Sequence, residues 1–251
     1  MKWLMGWLHY LMSWPAFFVV STLNLVLGVG LQLLTPNDPD RRMCLWVNHH
    51  LWGRALFACL PGWPVQRHGF ERVGPGPYIV VVNHTSVLDI PLAMSLPGPL
   101  LMRALTKAEN MQIPIMGRYM RFCKMIPIER GNPASASQAI SNCKDTLAKG
   151  ISLLVFSEGS RSENAQLGPF HRGAFRLAMD TDVPILPVVI YGTHKLLAKG
   201  KFTPKNVYSP FLLRVLPPVT SEGFTTARQM SNNVRSLMAE ELSRFHPQVG
   251  T

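Results

Sequence analysis

Residues 79–89 read IVVVNHTSVLD. Four β-branched apolar residues in a row describe a strand buried on both faces, as in the middle of a parallel sheet. The run stops at Asn83-His84, and Asp89 follows five residues after the histidine. On a continuous helix, residues five apart point about 140° away from one another and do not meet. His84 is therefore expected in the turn before a helix, with Asp89 in the first turns looking back at it. A histidine ring titrates near neutrality and suits a general base when a carboxylate holds its other nitrogen. A helix-entry turn with an incidental histidine fits the same spacing, so this stretch alone does not decide the chemistry.

Outward from it, short apolar runs alternate with longer helical ones. Strands are expected over 78–82, 124–128, 151–156, 185–191 and 211–215. Helices are expected over 88–96, 114–122, 133–149, 172–180 and 225–245. The third helix is well bounded: Asn132 can cap it, Pro133 suits its first position and Gly150 follows its end. Ala136, Ile140, Cys143 and Leu147 form its expected buried stripe. The alternation argues an α/β fold, a largely parallel sheet flanked by helices, over residues 63–251. There is no internal repeat and no low-complexity segment.

Residues 1–62 differ. No charged residue lies between Trp3 and Asn37, and PAFFVVSTLNLVLGVGLQLL (15–34) is about long enough to cross a bilayer. A polar break, TPNDPDRR, precedes MCLWVNHHLWGRALFACL, where His49, His50, Gly53 and Arg54 fall on one side of a helix and Leu45, Trp52, Leu56 and Cys59 on another. His49-His50 is expected on the polar face, since adjacent helical residues do not share an ion. All six tryptophans lie at or before position 63. The expectation is an N-terminal helical membrane hairpin over 1–62, whose first helix either crosses the bilayer or dips into it; if it crosses, Arg41 and Arg42 on its C-terminal flank place the following domain in the cytoplasm.

Hydrophobic residues make up 47% of the 251 positions and charged ones only 16%, with a net charge of +11. A low charge density with a positive sign favours an anionic membrane or phosphorylated substrates. The scattered Lys and Arg, without a dense basic run, argue against nucleic acid. Cys44, Cys59, Cys123 and Cys143 form no CxxC pair and no zinc spacing, which points to reduced thiols.

In open α/β sheets, function gathers beyond the C-terminal strand ends. Besides Asn83-His84, these ends offer IPIERGN with Arg130, and LLVFSEGSRS with Glu158, Gly159, Ser160 and Arg161. A guanidinium there suits bidentate capture of a phosphate. The chain has no GxSxG elbow, no Walker A loop and no GxGxxG after a strand, which argues against serine hydrolases, P-loop NTPases and dinucleotide enzymes.

Together these blocks resemble the glycerolipid acyltransferase family, most closely the bacterial 1-acylglycerol-3-phosphate acyltransferases. Asn83-His84-Thr85-Ser86-Val87-Leu88-Asp89 is similar to the family's NHxSxxD block. Ile126-Pro127-Ile128-Glu129-Arg130 is similar to its second block, Phe156-Ser157-Glu158-Gly159-Ser160-Arg161-Ser162 to its third (usually FPEGTRS), and Val183-Pro184-Ile185-Leu186-Pro187 to its fourth. TKAENMQIPIMG and FHRGAFRLA also match, with Lys107 at a typically basic position. Ser157, Ser160 and Glu129 depart from the usual proline, threonine and aspartate.

The resemblance implies His84 and Asp89 as catalytic residues, with Lys107, Arg130, Glu158, Gly159, Ser160 and Arg161 binding substrate. It implies transfer of a fatty acyl group from acyl-CoA or acyl carrier protein to the hydroxyl of 1-acylglycerol-3-phosphate, with membrane lipids as partners. No metal, no cofactor and no nucleic acid is expected. An enzyme acting on another lyso-lipid, such as lyso-ornithine lipid, or a non-catalytic membrane-binding module would share parts of the pattern.

Overall fold

The computed structural model describes residues 2–58, 64–96, 98, 100–114, 116–129, 131–162, 166–200 and 210–245, with side chains from residue 15 onward. Its frame is a seven-stranded sheet. The strands are β1 (Val65–His68), β2 (Ile79–Val82), β3 (Met102–Lys107), β4 (Ile126–Ile128), β5 (Ser152–Phe156), β6 (Ile185–Tyr191) and β7 (Phe211–Val215). Their order in the sheet is β1-β7-β6-β2-β5-β3-β4. Every neighbouring pair is parallel except β6 and β7, which are antiparallel. The α/β expectation holds, and the sheet is largely parallel as its continuous apolar strands require.

Helices cover both faces. The N-terminal helices α1 (Lys2–Leu34), α2 (Arg42–Val47) and α3 (Gly53–Ala58), with α4 (Asp89–Met94) and α5 (Met116–Phe122), share one core with Val80, Val82, Leu186, Val188 and Ile190. On the other face α6 (Pro133–Ala148), α7 (Gly173–Thr181) and α9 (Ala227–Ser243) pack on Ile79, Val81, Ile185 and Val189, while the short α8 (Thr193–Leu196) follows β6. Alternate residues of one strand thus serve different cores. This is why β2 and β6 are apolar throughout rather than alternating. Each such side chain contributes about 1.5–3 kcal/mol by leaving water.

Several sequence expectations need correction. Strands β1 and β3 were not expected. The first is an edge strand, VQRH, that alternates half-buried and exposed. The second carries Arg103, which breaks its apolar run yet is buried in the sheet. Arg103 Nη1 donates to Thr146 Oγ1 at 3.0 Å and Nη2 to the Asp40 carbonyl at 2.6 Å. Strand β4 starts at Ile126 rather than 124 because Lys124 has a left-handed backbone (φ 56°). Helix α6 opens as expected, with Asn132 Oδ1 accepting from Ser135 N at 3.1 Å. Its buried stripe is Ala139, Cys143, Thr146 and Leu147, while Ile140 is 42% exposed. Thr146 turns inward because its hydroxyl has two partners, donating to the Asn142 carbonyl and accepting from Arg103.

After α1 and a turn over 35–41, a second helical stretch runs back along it: α2, a π-helical turn Asn48–Trp52, then α3. Trp52 Nε1 donates to Ser21 Oγ at 3.0 Å, and Asn24 Nδ2 donates to both Asn48 Oδ1 (2.8 Å) and Tyr119 Oη (2.9 Å). The wider π turn shifts the helical stripe, so His49 is buried rather than on the polar face. The turn is fastened beneath the sheet by the Arg103–Asp40 bond and by Lys149 Nζ to Asp40 Oδ1 at 2.8 Å. Cys44 and Cys123, expected as separate thiols, are paired with Cα atoms 5.9 Å apart, while Cys143 is a free thiol. Their 79-residue separation gives no sequence signal of pairing. The expected division at 62/63 falls outside the described residues.

At the opposite end of the strands, Asn83 stands in for a peptide. Its Nδ2 donates to the Ile190 carbonyl at 2.9 Å, and Ile190 N donates to its Oδ1 at 2.8 Å. This holds the exit of β2 against β6. Asn83→Ala leaves two buried backbone groups unpaired and is expected to lower the unfolding free energy by about 2–3 kcal/mol. Chemical denaturation of the two proteins measures it, and a loss below about 0.5 kcal/mol would remove the clamp.

Candidate active site

The residues singled out in sequence lie at the C-terminal ends of adjacent strands. His84 follows β2, the loop with Glu158 and Arg161 follows β5, and Lys107 ends β3, in that spatial order. Lys107 stands two strand spacings, about 10 Å, from the line of β2. Arg130 lies outside the described residues.

Asp89 opens α4 and its carboxylate faces back into the turn, as the spacing suggested. Its Oδ2 accepts from His84 Nδ1 at 3.0 Å, from Thr85 N at 2.6 Å and from Ser86 N at 2.8 Å. Its Oδ1 accepts from Thr193 Oγ1 at 2.5 Å. Asp89 is fully buried, whereas the His84 side chain keeps 14% of its surface. Because Nδ1 is committed to the carboxylate, Nε2 is the nitrogen left to meet a substrate. The ring lies on Phe156 with centroids 4.1 Å apart, which fixes its plane. Ser86 is not a nucleophile here: its hydroxyl donates to the Leu197 carbonyl at 2.7 Å and accepts from Leu88 N at 3.2 Å.

Glu158 is a structural hub beside this pair. Its Oε1 accepts from His84 N at 2.8 Å and its Oε2 from Gly168 N at 2.9 Å. Ser162 N donates to the His84 carbonyl at 2.8 Å, so the Glu158–Ser162 loop lies along the histidine turn and carries half-buried Arg161 beside it. Gly159 adopts φ 71°, which turns the loop sharply and which a side chain there would resist. Ser160 is exposed, and Ser157 holds a buried hydroxyl with no hydrogen-bond partner among the described residues. Lys107 is exposed, and the described residues hold no group of three or more His, Cys, Asp or Glu side chains suited to a metal.

Sequence reasoning missed Thr193. It lies 104 residues from its carboxylate partner, in a stretch that reads only as the end of β6. The one available signal was the need of a buried carboxylate for donors.

The acyltransferase family model matches residues 64–191. The chain is 30% identical over 207 residues to the chloroplastic 1-acyl-sn-glycerol-3-phosphate acyltransferase LPAT1 of Arabidopsis thaliana, covering 82% of this chain and 56% of that one. It is 32% identical over 211 residues to the 1-acyl-sn-glycerol-3-phosphate acyltransferase of Limnanthes alba, covering 83% and 73%. The crystal structure of the 1-acyl-sn-glycerophosphate acyltransferase PlsC of Thermotoga maritima superposes with a TM-score of 0.78 at 25% identity, covering 100% of both chains. The chain belongs to the acyltransferase family. It spans about half the length of the Arabidopsis protein and of a Brassica napus relative, at 56% and 45%.

Two outcomes follow from the geometry. Thr193→Val removes a short charge-assisted hydrogen bond from Asp89 and is expected to lower kcat about tenfold, with KM values unchanged and Thr193→Ser restoring the rate. Steady-state kinetics of the two variants check it. For Glu158, burial raises the carboxyl above its usual 4.5, opposed by the backbone donors of His84 and Gly168. A carboxyl raised by folding favours the folded state below 4.5, and that share is lost as pH rises through the folded value. Wild-type stability should therefore fall more steeply than that of Glu158→Gln as pH rises from 4.5, measured by denaturation at a series of pH values.

Proposed function

We propose that the protein transfers a fatty acyl group from a thioester to the free hydroxyl of 1-acylglycerol-3-phosphate, giving phosphatidic acid. The observation that carries this reading is the His84 Nδ1–Asp89 Oδ2 contact of 3.0 Å, with no serine or cysteine among the described residues bonded to the ring. The acceptor's own hydroxyl is then the nucleophile. It hydrogen-bonds to Nε2 of His84, which takes its proton as the oxygen attacks the thioester carbonyl, and Asp89 steadies the resulting imidazolium. The tetrahedral intermediate collapses by breaking the carbon–sulfur bond. The departing thiolate recovers the proton from His84, so the enzyme ends as it began.

Arg161 and Lys107 hold the acceptor phosphate on the side of β5 and β3, and Arg130 is assigned to the same group from the sequence motif. Glu158, with both oxygens committed to backbone donors, orders the loop rather than acting as a second base. The relatives named for this acceptor support the same assignment.

The acceptor arrives from lipid. Helix α1 has 33 residues, about 50 Å, and the stretch Pro15–Leu34 has a mean hydropathy of 2.0. The turn after its C-terminal end is fastened to the domain by Arg103 and Lys149 through Asp40. Phe18, Val19, Leu23 and Val26 are exposed along α1, the surface expected of a helix in contact with a bilayer. We place the catalytic domain on the cytoplasmic face of the membrane, the bacterial inner membrane in a bacterial host, with Arg41 and Arg42 as the positive flank.

The test compares wild type with His84→Ala in detergent, following acyl transfer from acyl-CoA to lysophosphatidic acid. Loss of rate of about 10²–10⁴-fold is expected. Activity that survives the substitution sinks the mechanism, and folded wild type that acylates only another lyso-lipid sinks the acceptor.

A further inference from the structure

On the sheet face opposite α1–α3, the first turn of α7 and the start of α9 enclose an open groove of about 430 Å³, lined by Arg172, Gly173, Arg176, Thr226, Ala227 and Arg228. Three of these six residues are arginines and none is acidic. All three arginines are exposed, and among the described residues none of their guanidiniums pairs with a carboxylate. Arg72, Arg214 and Arg244 lie by carboxylates, and several other described arginines, Arg161 among them, do not; what sets the groove apart is that three guanidiniums line one concavity with no acidic residue in its lining. Three guanidiniums around one concavity repel one another unless an anion sits between them, and a guanidinium matches phosphate oxygens in a bidentate fork.

Two observations narrow the anion. The first is position. The apolar helices α1–α3 pack into the core on one face of the sheet, and α7 and α9 into the core on the other. The groove is therefore turned away from the lipid-contacting helices and meets solutes. The second is connection to the site. Arg172 follows His171, whose N–H donates to the Ser157 carbonyl at 2.8 Å, and the next residue, Glu158, accepts from His84 N. A ligand whose phosphates rest on Arg172 can extend along this loop towards the histidine turn. A cleft of this volume suits a nucleotide-sized group.

We propose that this groove binds the phosphates of a soluble nucleotide-bearing acyl donor, the 3′-phosphate and diphosphate of acyl-CoA. The inference rests on the acyl-transfer reading above and adds a donor site to it. Donor and acceptor phosphates are then held by different arginines: Arg172, Arg176 and Arg228 for the donor, Arg161 for the acceptor. The groove side chains are on the surface, so their replacement leaves the packed core intact.

The test uses the full chain in detergent with Arg172→Gln, Arg176→Gln and Arg228→Gln, singly and combined. Binding of adenosine 3′,5′-bisphosphate is followed by titration calorimetry, which needs no turnover. The combined variant is expected to lose about tenfold or more in affinity, and its KM for acyl-CoA to rise by a similar factor, with KM for lysophosphatidic acid unchanged. Wild-type binding should weaken with added salt. Unchanged affinity and unchanged KM for acyl-CoA in an active combined variant overturn the donor site and leave the acyl-transfer reading standing. Tight, arginine-dependent binding in a wild-type protein that acylates no lyso-lipid leaves the groove standing and removes the reading it was joined to. A defect confined to an acyl-carrier-protein donor, with acyl-CoA kinetics and bisphosphate binding unaltered, also overturns the assignment, because the groove would then serve an acidic protein surface.

Discussion

A carboxylate taken wholly out of water costs several kcal/mol unless its oxygens find donors, and the site end of this molecule is arranged around meeting that need for Asp89. Two of its donors are peptide N–H groups, from Thr85 and Ser86, available only when the chain after β2 closes into a tight turn. The third is the imidazole of His84, and the fourth is Thr193, which arrives only if β6 exits beside β2. Asn83 secures that adjacency by pairing with Ile190. The order of the central strands and the orientation of the histidine are thus consequences of the same constraint. With two peptide donors and a hydroxyl on the carboxylate, the imidazole is held to it rather than relied on to neutralise it.

How far this was legible in the sequence depended on the kind of signal. The continuous IVVV run of β2 and the long apolar β6 are periodic features, and both appear where the pattern put them. The backward look of Asp89 followed from helix geometry alone. Strand β3 was hidden by Arg103, whose burial is tolerable only because Thr146 and Asp40 converge on it from other elements. His49 was misplaced because a π turn adds a residue to the helical repeat, which no stripe of 3.6 anticipates. Thr193 and the Cys44–Cys123 link share a different cause. Each joins residues far apart in the chain, and neither partner carries a local pattern that names the other.

The sheet also divides the molecule by environment. Its two cores use alternate side chains of the same strands, so neither face can be changed without the other registering it. One face carries the apolar α1, tied to the domain through Ser21 and Asn24 as well as through the turn under the sheet. A helix fastened at several points along its C-terminal half transmits its orientation to the strands and cannot act as a loose tether. The other face carries the groove arginines, which have no carboxylate partner among the described residues. In the proposed reaction a lipid acceptor and a soluble donor differ in where they reside, and a fold with two chemically distinct faces would give each its own approach.

The proposed approaches must converge at one point, and the loop after β5 is placed to join them. Ser157 accepts from His171 on the way to α7, Glu158 bonds both His84 and Gly168, and Ser162 returns to the His84 carbonyl. Arg235 of α9 closes the same loop by donating to the Leu167 and Gly168 carbonyls, both at 2.9 Å. One segment therefore touches the histidine, leads into the arginine groove and is braced by the last helix. Such bracing suits the proposed reaction, whose general base must stand within hydrogen-bond reach of a hydroxyl on one substrate while that hydroxyl meets a carbonyl on another. The rigidity lies in backbone donors and acceptors rather than in the identity of most loop side chains. That accounts physically for why serines can replace the usual proline and threonine at 157 and 160 while Glu158, whose two oxygens tie the loop to the His84 turn and to Gly168, is retained.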